Sequence, residues 1–241
     1  QRNLLYHPGE NNYLDDKAQF SYKEFLIEVD QDIKLKSWLI EKDLEKYKTL
    51  VFFHGNAGNL FNRVHKLNEL NKLDINILII SWRGFSGNSG KPTEKNLYQD
   101  AQKSIEWLNN KGIKNEKIIL YGESLGTGVA VELGQKNIFN SIILESPFTS
   151  MAKTAKIYYP YLPVNLLLKD KYDSINKIHK ITKPILIMHG VKDDLVPYIM
   201  SVELFNKANE PKYSFFPKDD NHMMDFNDEL LDKIRLFIKQ H

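Results

Sequence analysis

The stretch GESLG (122–126) combines residue types and spacing that suit a serine nucleophile. It fits the pattern G-x-S-x-G, in which two glycines leave room for a sharp turn between a strand and a helix. The apolar run KIILYG (117–122) before it suits a buried strand, and LGTGVAVELGQK (125–136) after it suits a helix. This context favours Ser124 as a nucleophile over the alternative, a glycine-rich turn that binds phosphate or nothing.

A serine hydroxyl needs a base to remove its proton and an acid to orient that base. His222 lies in KDDNHMMDF, after the last run that suits a strand, and completes the chain order serine, acid, histidine. The loop HGVKDDLVP (189–197) offers two acids. They are Asp193, in the spacing G-x-x-D-x-x-V-P, and Asp194, which would suit the cap of a helix that begins at Pro197.

The negative charge that develops on a substrate carbonyl needs backbone N–H donors, usually two. Leu125, the residue after the nucleophile, supplies the first. We expect the second from the loop FFHGNAGN (52–59), where Gly55 permits close approach and Asn56 or Ala57 presents its N–H.

Eight short apolar runs have the length and composition of strands. The first two alternate apolar and polar residues, as half-exposed antiparallel strands do, and the later runs are continuously apolar, as strands covered on both faces are. Helical patterns separate the later runs. This alternation predicts a single domain over residues 1–241, built on a mostly parallel, doubly wound α/β sheet with two antiparallel N-terminal strands. The runs are EFLIEV (24–29), IKLKSWLI (33–40), TLVFFHG (49–55), INILIISW (75–82), KIILYG (117–122), SIILES (141–146), PILIMHG (184–190) and KYSFFP (212–217).

The segment from Pro147 to Lys183 interrupts this alternation, and a segment of such length usually serves a function. It carries YYPYLP (158–163), which two prolines stiffen, and then two short helical pieces. We expect a small cap over the cleft; the alternative is that its aromatic side chains only pack it against the body. The expected pocket side chains, one of them from the glycine-rich segment WRGFSGNSG (82–90), are Ala57, Phe85, Tyr159 and Tyr161.

Composition excludes several classes of protein. The chain has no cysteine, which rules out disulfides and a thiolate nucleophile, and its net charge of +2 gives no nucleic-acid footprint. No cluster of metal ligands is evident, and no apolar run is long enough to span a bilayer. Because the chain starts at Gln1 and not at methionine, we expect that a signal peptide, a membrane anchor or a tag preceded it.

Five segments together resemble the α/β-hydrolase superfamily in content and order: HGNAGN, WRGFSGNSGKPTE, YGESLGTGVAVEL, LESPFTS and HGVKDDLVP. They look most like the membrane-anchored serine hydrolases of the Bem46, ABHD13 and ABHD17 type. The resemblance implies Ser124 as nucleophile, Asp193 as acid and His222 as base. It also implies membrane association through a missing N-terminal segment. The chain departs from the usual pattern before His222, where DDNHMM replaces the commoner glycine.

The expected function is a cofactor-free serine hydrolase that cleaves small carboxylic esters or thioesters through an acyl-enzyme. One alternative is an acyl-peptide or aminopeptidase activity, for which Glu123 or Glu145 would recognise a free amine. Glu145 is also a further candidate for the acid of the site. The other alternative is a membrane-tethered binding protein on a silent hydrolase fold, since a fold does not guarantee chemistry.

Overall fold

Eight strands form one sheet in the structure, a computed structural model that describes residues 2–9 and 17–241. Each of the eight strands expected from the sequence is present. The spatial order is β1-β2-β4-β3-β5-β6-β7-β8. The strands are β1 Lys23–Asp30, β2 Ile33–Ile40, β3 Thr49–Phe53, β4 Asn76–Ile80, β5 Ile118–Glu123, β6 Ser141–Glu145, β7 Ile185–Met188 and β8 Lys212–Phe215.

The sheet is mostly parallel, as the sequence predicts. Strands β3 to β8 pair in parallel, whereas β1 pairs antiparallel with β2 and β2 pairs antiparallel with β4. Residues of β3, β4, β5, β6 and β7 are all buried, because helices cover both faces of the central sheet. The prediction of an α/β-hydrolase fold with two antiparallel N-terminal strands is confirmed.

Helices divide the apolar core into two layers. The helices are α1 Arg2–Leu5, α2 Val64–Leu70, α3 Glu94–Asn110, α4 Leu125–Gly134, α5 Met151–Tyr158, α6 Val164–Leu167, α7 Ile199–Lys207 and α8 Asp228–Gln240. On one face of the sheet, α3, α4 and α7 pack against side chains such as Val51 and Phe53. On the other face, α2 and α8 pack against Leu50 and Phe52, as the alternation of side chains along a strand requires.

The insertion between β6 and β7 contains one helix more than the sequence predicts. The two short helical pieces expected after YYPYLP are α6 and a 3-10 turn at Ile178–Lys180, whereas α5, which ends at Tyr158, precedes that stretch. Ser150 starts α5, since its side chain accepts a hydrogen bond from the N–H of Lys153. Pro160 and Pro163 then separate the two helices. Among the described residues, no helix has the length and apolar character that a membrane crossing requires.

Candidate active site

Ser124 lies on the turn between β5 and α4, at the carboxyl end of the central sheet. Its backbone adopts φ +49° and ψ −114°, a conformation that is strained for a residue with a side chain. Two glycines make the turn sterically feasible. A Cβ on Gly122 would meet the carbonyl oxygen of Gly126 at 2.6 Å, and a Cβ on Gly126 would collide with the carbonyl of Phe53. The motif therefore folds into the strained strand-to-helix turn that its sequence predicts.

Three of the predicted site residues form a continuous chain of hydrogen bonds. The hydroxyl of Ser124 lies 2.9 Å from Nε2 of His222, and Nδ1 of His222 lies 2.6 Å from Oδ2 of Asp193. They come from three loops, after β5, β7 and β8, which meet because the carboxyl ends of parallel strands share one edge of the sheet. A carboxylate only accepts hydrogen bonds, so the ring presents an N–H to Asp193 and leaves Nε2 free to accept from Ser124.

The carboxylate of Asp193 is held by more than His222. Its Oδ1 accepts backbone N–H bonds from Leu195 and Val196, both at 2.8 Å. Its Oδ2 also lies 2.7 Å from Nε2 of His189, a ring with no solvent exposure. Burial would raise the pKa of the Asp193 carboxyl, but the hydrogen bonds from His189 and His222 outweigh it and hold that pKa well below its usual range. Asp193 is therefore an anion at neutral pH.

The loop that carries His222 is fixed by contacts with two neighbouring loops. The hydroxyl of Ser146, directly after β6, donates to the carbonyl of His222 at 2.8 Å. Gly190 lies against the backbone of Asp220 and Asn221 so closely that any Cβ there would collide with their carbonyl oxygens. These contacts hold the imidazole of His222 in place, although the residue before it is asparagine and not the commoner glycine.

The predicted oxyanion residues, Leu125 and Asn56, both line the same cavity as Ser124. Leu125 is the first residue of α4, where a backbone N–H has no partner within the helix. The N–H of Asn56 makes no hydrogen bond to any residue that the structure describes. The N–H of Gly55 is excluded as a donor because it binds Oε1 of Glu123 at 3.1 Å.

The N-terminal segment supports the loop that contains Asn56. The N–H of His7 donates to the carbonyl of Asn56 at 2.8 Å, and the side-chain amide of Asn56 donates to the carbonyl of Leu5 at 2.9 Å. The hydroxyl of Tyr6 is 2.9 Å from that of Tyr172 in the insertion. Residues 2–9 thus connect the loop that contains Asn56 to the insertion.

A network of buried charges lies beneath Ser124. Glu123 binds Arg63 and Lys66, at 2.5 and 2.9 Å, and Lys66 also binds Glu145 at 2.5 Å. Burial would raise the pKa of Glu123, but the two cations hold it well below its usual range. Burial raises the pKa of Glu145, to which Tyr121 donates a hydrogen bond. Both carboxylates are engaged with Lys66, so neither is available to bind a substrate amine.

A mostly apolar cavity of about 610 Å³ opens above Ser124, within the size range of small-molecule sites. The insertion supplies much of its wall through Met151, Tyr158, Tyr159 and Leu162. Leu195 and Val196, from the loop after β7, also line it, and the carbonyl of Leu195 accepts a hydrogen bond from the hydroxyl of Tyr158 at 2.7 Å. Such walls exclude water from an apolar group that enters the cavity.

Three of the four predicted pocket side chains do not line this cavity. Phe85 is fully buried in the core, where its ring packs edge-on against His54. Tyr161 is 98% exposed because it lies on the outer side of the turn between the two prolines. Ala57 forms a bridge with His7 of the N-terminal segment. Only Tyr159 is found in the wall. Asp194, the second candidate acid, is exposed and bonds neither histidine.

Comparisons with known proteins agree with this fold. A profile of the α/β-hydrolase fold matches residues 48–174. A Mycobacterium tuberculosis protein, described only as uncharacterized, is 32% identical over 247 residues, which cover 100% of this chain and 88% of that protein. Protein bem46 of Schizosaccharomyces pombe is 32% identical over 220 residues, which cover 87% of this chain and 74% of that protein. The chain belongs to the α/β-hydrolase family.

The predicted kinship of this α/β-hydrolase with the Bem46 and ABHD17 type is confirmed. Human ABHD17B is 32% identical over 195 residues, which cover 80% of this chain and 66% of that protein. Among solved structures, an esterase of Pyrococcus furiosus superposes with a TM-score of 0.79 at 22% identity, covering 98% of both chains. Est1E of Butyrivibrio proteoclasticus, solved with ferulic acid, superposes with a TM-score of 0.71 at 19% identity and covers 90% of this chain and 96% of that chain. The fold and its neighbours support a hydrolase activity.

Sequence reasoning missed several residues that hold the site of this α/β-hydrolase together. His189 stands four residues before Asp193 at a strand end, so its spacing could have signalled a contact with the acid. Ser146 follows β6 and has a positive φ of 50°, a conformation that no sequence pattern around it predicts. The contacts of residues 5–7 with Asn56 join parts of the chain about fifty positions apart, and no local pattern encodes them.

Proposed function

We propose that the protein is a serine hydrolase that cleaves carboxylic esters or thioesters through an acyl-enzyme. The observation that supports it is the hydrogen-bonded chain from Ser124 through His222 to Asp193, at the floor of an apolar cavity. Ser124 acts as the nucleophile, His222 as general base and then general acid, and Asp193 orients the ring and stabilises the imidazolium. No cofactor is needed for this chemistry.

In the proposed reaction, Oγ of Ser124 attacks the acyl carbonyl while its proton passes to Nε2 of His222. The oxyanion of the tetrahedral intermediate is bound by the N–H groups of Leu125 and Asn56. The C–O or C–S bond then breaks, and His222 returns the proton to the departing alcohol or thiol. A water molecule repeats the sequence on the acyl-enzyme, releases the carboxylic acid and restores Ser124.

The buried charges favour an ester or thioester substrate over a peptide amine. A peptidase that recognises a free amine needs an accessible acid near the nucleophile. Glu123 and Glu145, the two candidates, are buried and engaged with Lys66. An acylaminoacyl peptidase from Pyrococcus horikoshii does share the fold, with a TM-score of 0.68 at 17% identity, so amides belong in the substrate screen.

The test combines covalent labelling with a matched substrate screen. A fluorophosphonate probe should label the wild-type protein at Ser124, as read by mass spectrometry of the tagged peptide, and the Ser124→Ala variant should stay unlabelled. Esters, thioesters and aminoacyl amides that carry the same acyl group are then compared by kcat/KM. Labelling that persists in Ser124→Ala would overturn the nucleophile. A labelled enzyme that prefers amides would overturn the substrate class, and an unlabelled, inactive wild type would indicate a binding protein.

A further inference from the structure

Exposed apolar side chains are concentrated in one short part of this protein. Within the described residues, sixteen large apolar side chains are exposed, and seven of them belong to residues 157–167. Tyr161 and Leu166 are 98% and 86% exposed. A monomeric protein in water rarely leaves a dense apolar patch uncovered unless the patch binds something. We call residues 157–167, together with Leu195, the rim.

The rim surrounds the mouth of the cavity above Ser124. Tyr158, Tyr159 and Leu162 are partly exposed to solvent, yet each also lines the cavity. Leu195, whose carbonyl accepts a hydrogen bond from the hydroxyl of Tyr158 at 2.7 Å, is also both exposed and part of the cavity wall. The apolar surface of the rim is therefore continuous with the apolar wall of the cavity. Whatever covers the rim also controls entry into the cavity.

The charges beside the rim are mainly positive. No acidic residue occurs between Met151 and Lys169, a stretch that contains three lysines. Lys153 is paired with Glu203, whereas Lys156 and Lys169 are exposed and form no ion pair with any described residue. The next acid along the chain, Asp170, is buried and bound to Arg2. Asp194, beside Leu195, is exposed and offsets part of this charge.

These features match the surface of a lipid bilayer. Tyrosine suits the boundary between headgroups and acyl chains, because its ring is apolar and its hydroxyl is polar. Unpaired lysines next to an apolar surface attract anionic lipids. A folded protein partner on the rim would close the cavity, whereas fluid lipid lets a single acyl chain pass into it. We propose that the rim docks on a bilayer that contains anionic headgroups, so that the cavity opens toward lipid.

The docking is tested by binding, which does not rely on the catalytic assignment. The 241-residue chain is sedimented with vesicles of phosphatidylcholine alone and with vesicles in which about a third of the lipid is phosphatidylserine. We expect stronger binding to the anionic vesicles, and we expect high salt to weaken it. Replacing Tyr161 and Leu166 together by serine should lower the partition constant at least tenfold. Lys156→Glu with Lys169→Glu should abolish the preference for anionic vesicles.

A matched control replaces Leu26 and Leu236 by serine, since these side chains are 61% and 56% exposed on β1 and α8, away from the rim. It should bind vesicles like the wild type. The Ser124→Ala variant should also bind unchanged, which separates docking from catalysis. Far-ultraviolet circular dichroism checks that each variant is folded.

The proposal would be overturned if the rim variant, with Tyr161 and Leu166 replaced by serine, bound vesicles as well as the control does. It would also be overturned if the wild type did not bind. A dimer in analytical ultracentrifugation that the rim variant abolishes would assign the rim to a second copy of the chain instead.

Discussion

Asp193 receives hydrogen bonds from two imidazole rings, and only His222 is in contact with Ser124. The second ring, His189, is buried, and its Nδ1 lies 2.5 Å from the hydroxyl of Ser201. With Nε2–H donating to Asp193, this ring fixes the rotamer of the carboxylate from behind. We therefore expect His189 to be a positioning residue, since it contacts Asp193 and does not line the cavity.

Removing this support should slow the reaction without weakening substrate binding. For His189→Leu we expect kcat to fall by roughly tenfold or more, the equivalent of one charge-assisted hydrogen bond, while KM stays nearly unchanged. His189→Gln, whose amide can still donate to Asp193, should recover most of the loss. Steady-state kinetics on a soluble ester measure both values, with thermal unfolding as a check on folding. A folded Leu variant with wild-type kcat would refute the role.

The two neighbouring aspartates provide a sharper residue-scale test. Asp193→Asn removes the anion and offers His222 an amide N–H, which favours the ring tautomer that cannot accept the proton of Ser124. We expect the kcat of Asp193→Asn to be lower than that of the wild type by up to roughly 10⁴-fold. Asp194→Asn, an equal change in charge on an exposed side chain, should alter kcat by less than about threefold, within the small range of surface substitutions. Comparable losses in the two variants would show that Asp193 has no special role.

At this scale the sequence predicts which side chains meet at the end of the sheet better than it predicts the residues that hold them. The serine motif and the loop before Val196 and Pro197 have recognisable spacing, because a strained turn and a strand end impose it. His189 and Ser146 hold the site through contacts between loops that are distant in sequence. Phe85 and Ala57, by contrast, are predicted from the sequence as pocket residues but do not line the cavity. They lie in glycine-containing loops, but Phe85 is buried in the core and Ala57 forms a bridge with His7.

At the scale of elements, the insertion between β6 and β7 determines the shape of the cavity. In the turn between α5 and α6, the side chain of Tyr159 lines the cavity whereas that of Tyr161 is in solvent, although the two residues are only two positions apart. The sequence predicts the strands well, since continuous apolar runs are the direct consequence of burial on both faces. It predicts the insertion poorly, because side-chain direction there depends on where α5 ends and how Pro160 and Pro163 turn the chain.

Substitutions of Tyr159 and Tyr161 test this difference in side-chain direction. In lipid-free buffer, kcat/KM for a series of p-nitrophenyl esters should rise by about fourfold per CH₂, the equivalent of about 0.8 kcal/mol, until the cavity is full and should then fall. Tyr159→Ala enlarges the cavity, so the optimum should move to longer chains. Tyr161→Ala, two residues away and in solvent, should leave the optimum in place. A shift in both variants, or in neither, would contradict the assignment of Tyr159 to the wall.

Across the whole molecule, the strained turn at Ser124, the loop that contains Asn56 and the buried charges form one connected unit. Glu123 stands next to Ser124 in sequence. Its carboxylate accepts a hydrogen bond from the N–H of Gly55, in the loop that contains Asn56, and forms ion pairs with Arg63 and Lys66. His54, at the start of the same loop, is also buried and contacts both Gly55 and Trp82. Protonation of this unit during acidification should therefore weaken the entire fold and not only the site.

The last prediction concerns His54 and the acid stability of the protein. Burial and the nearby charge of Arg63 lower the pKa of His54 to about 3. The unfolded chain binds a proton there near pH 6.5 while the folded protein does not, so stability falls as the pH drops below that value. Between pH 7 and pH 5 this group alone should remove about 2 kcal/mol from the free energy of unfolding. His54→Gln, which can still bond Gly55 but cannot titrate, should lack this loss, whereas the carboxylates are common to both proteins. Urea unfolding at the two pH values gives the difference directly, and parallel losses in wild type and variant would exclude His54 as the group responsible.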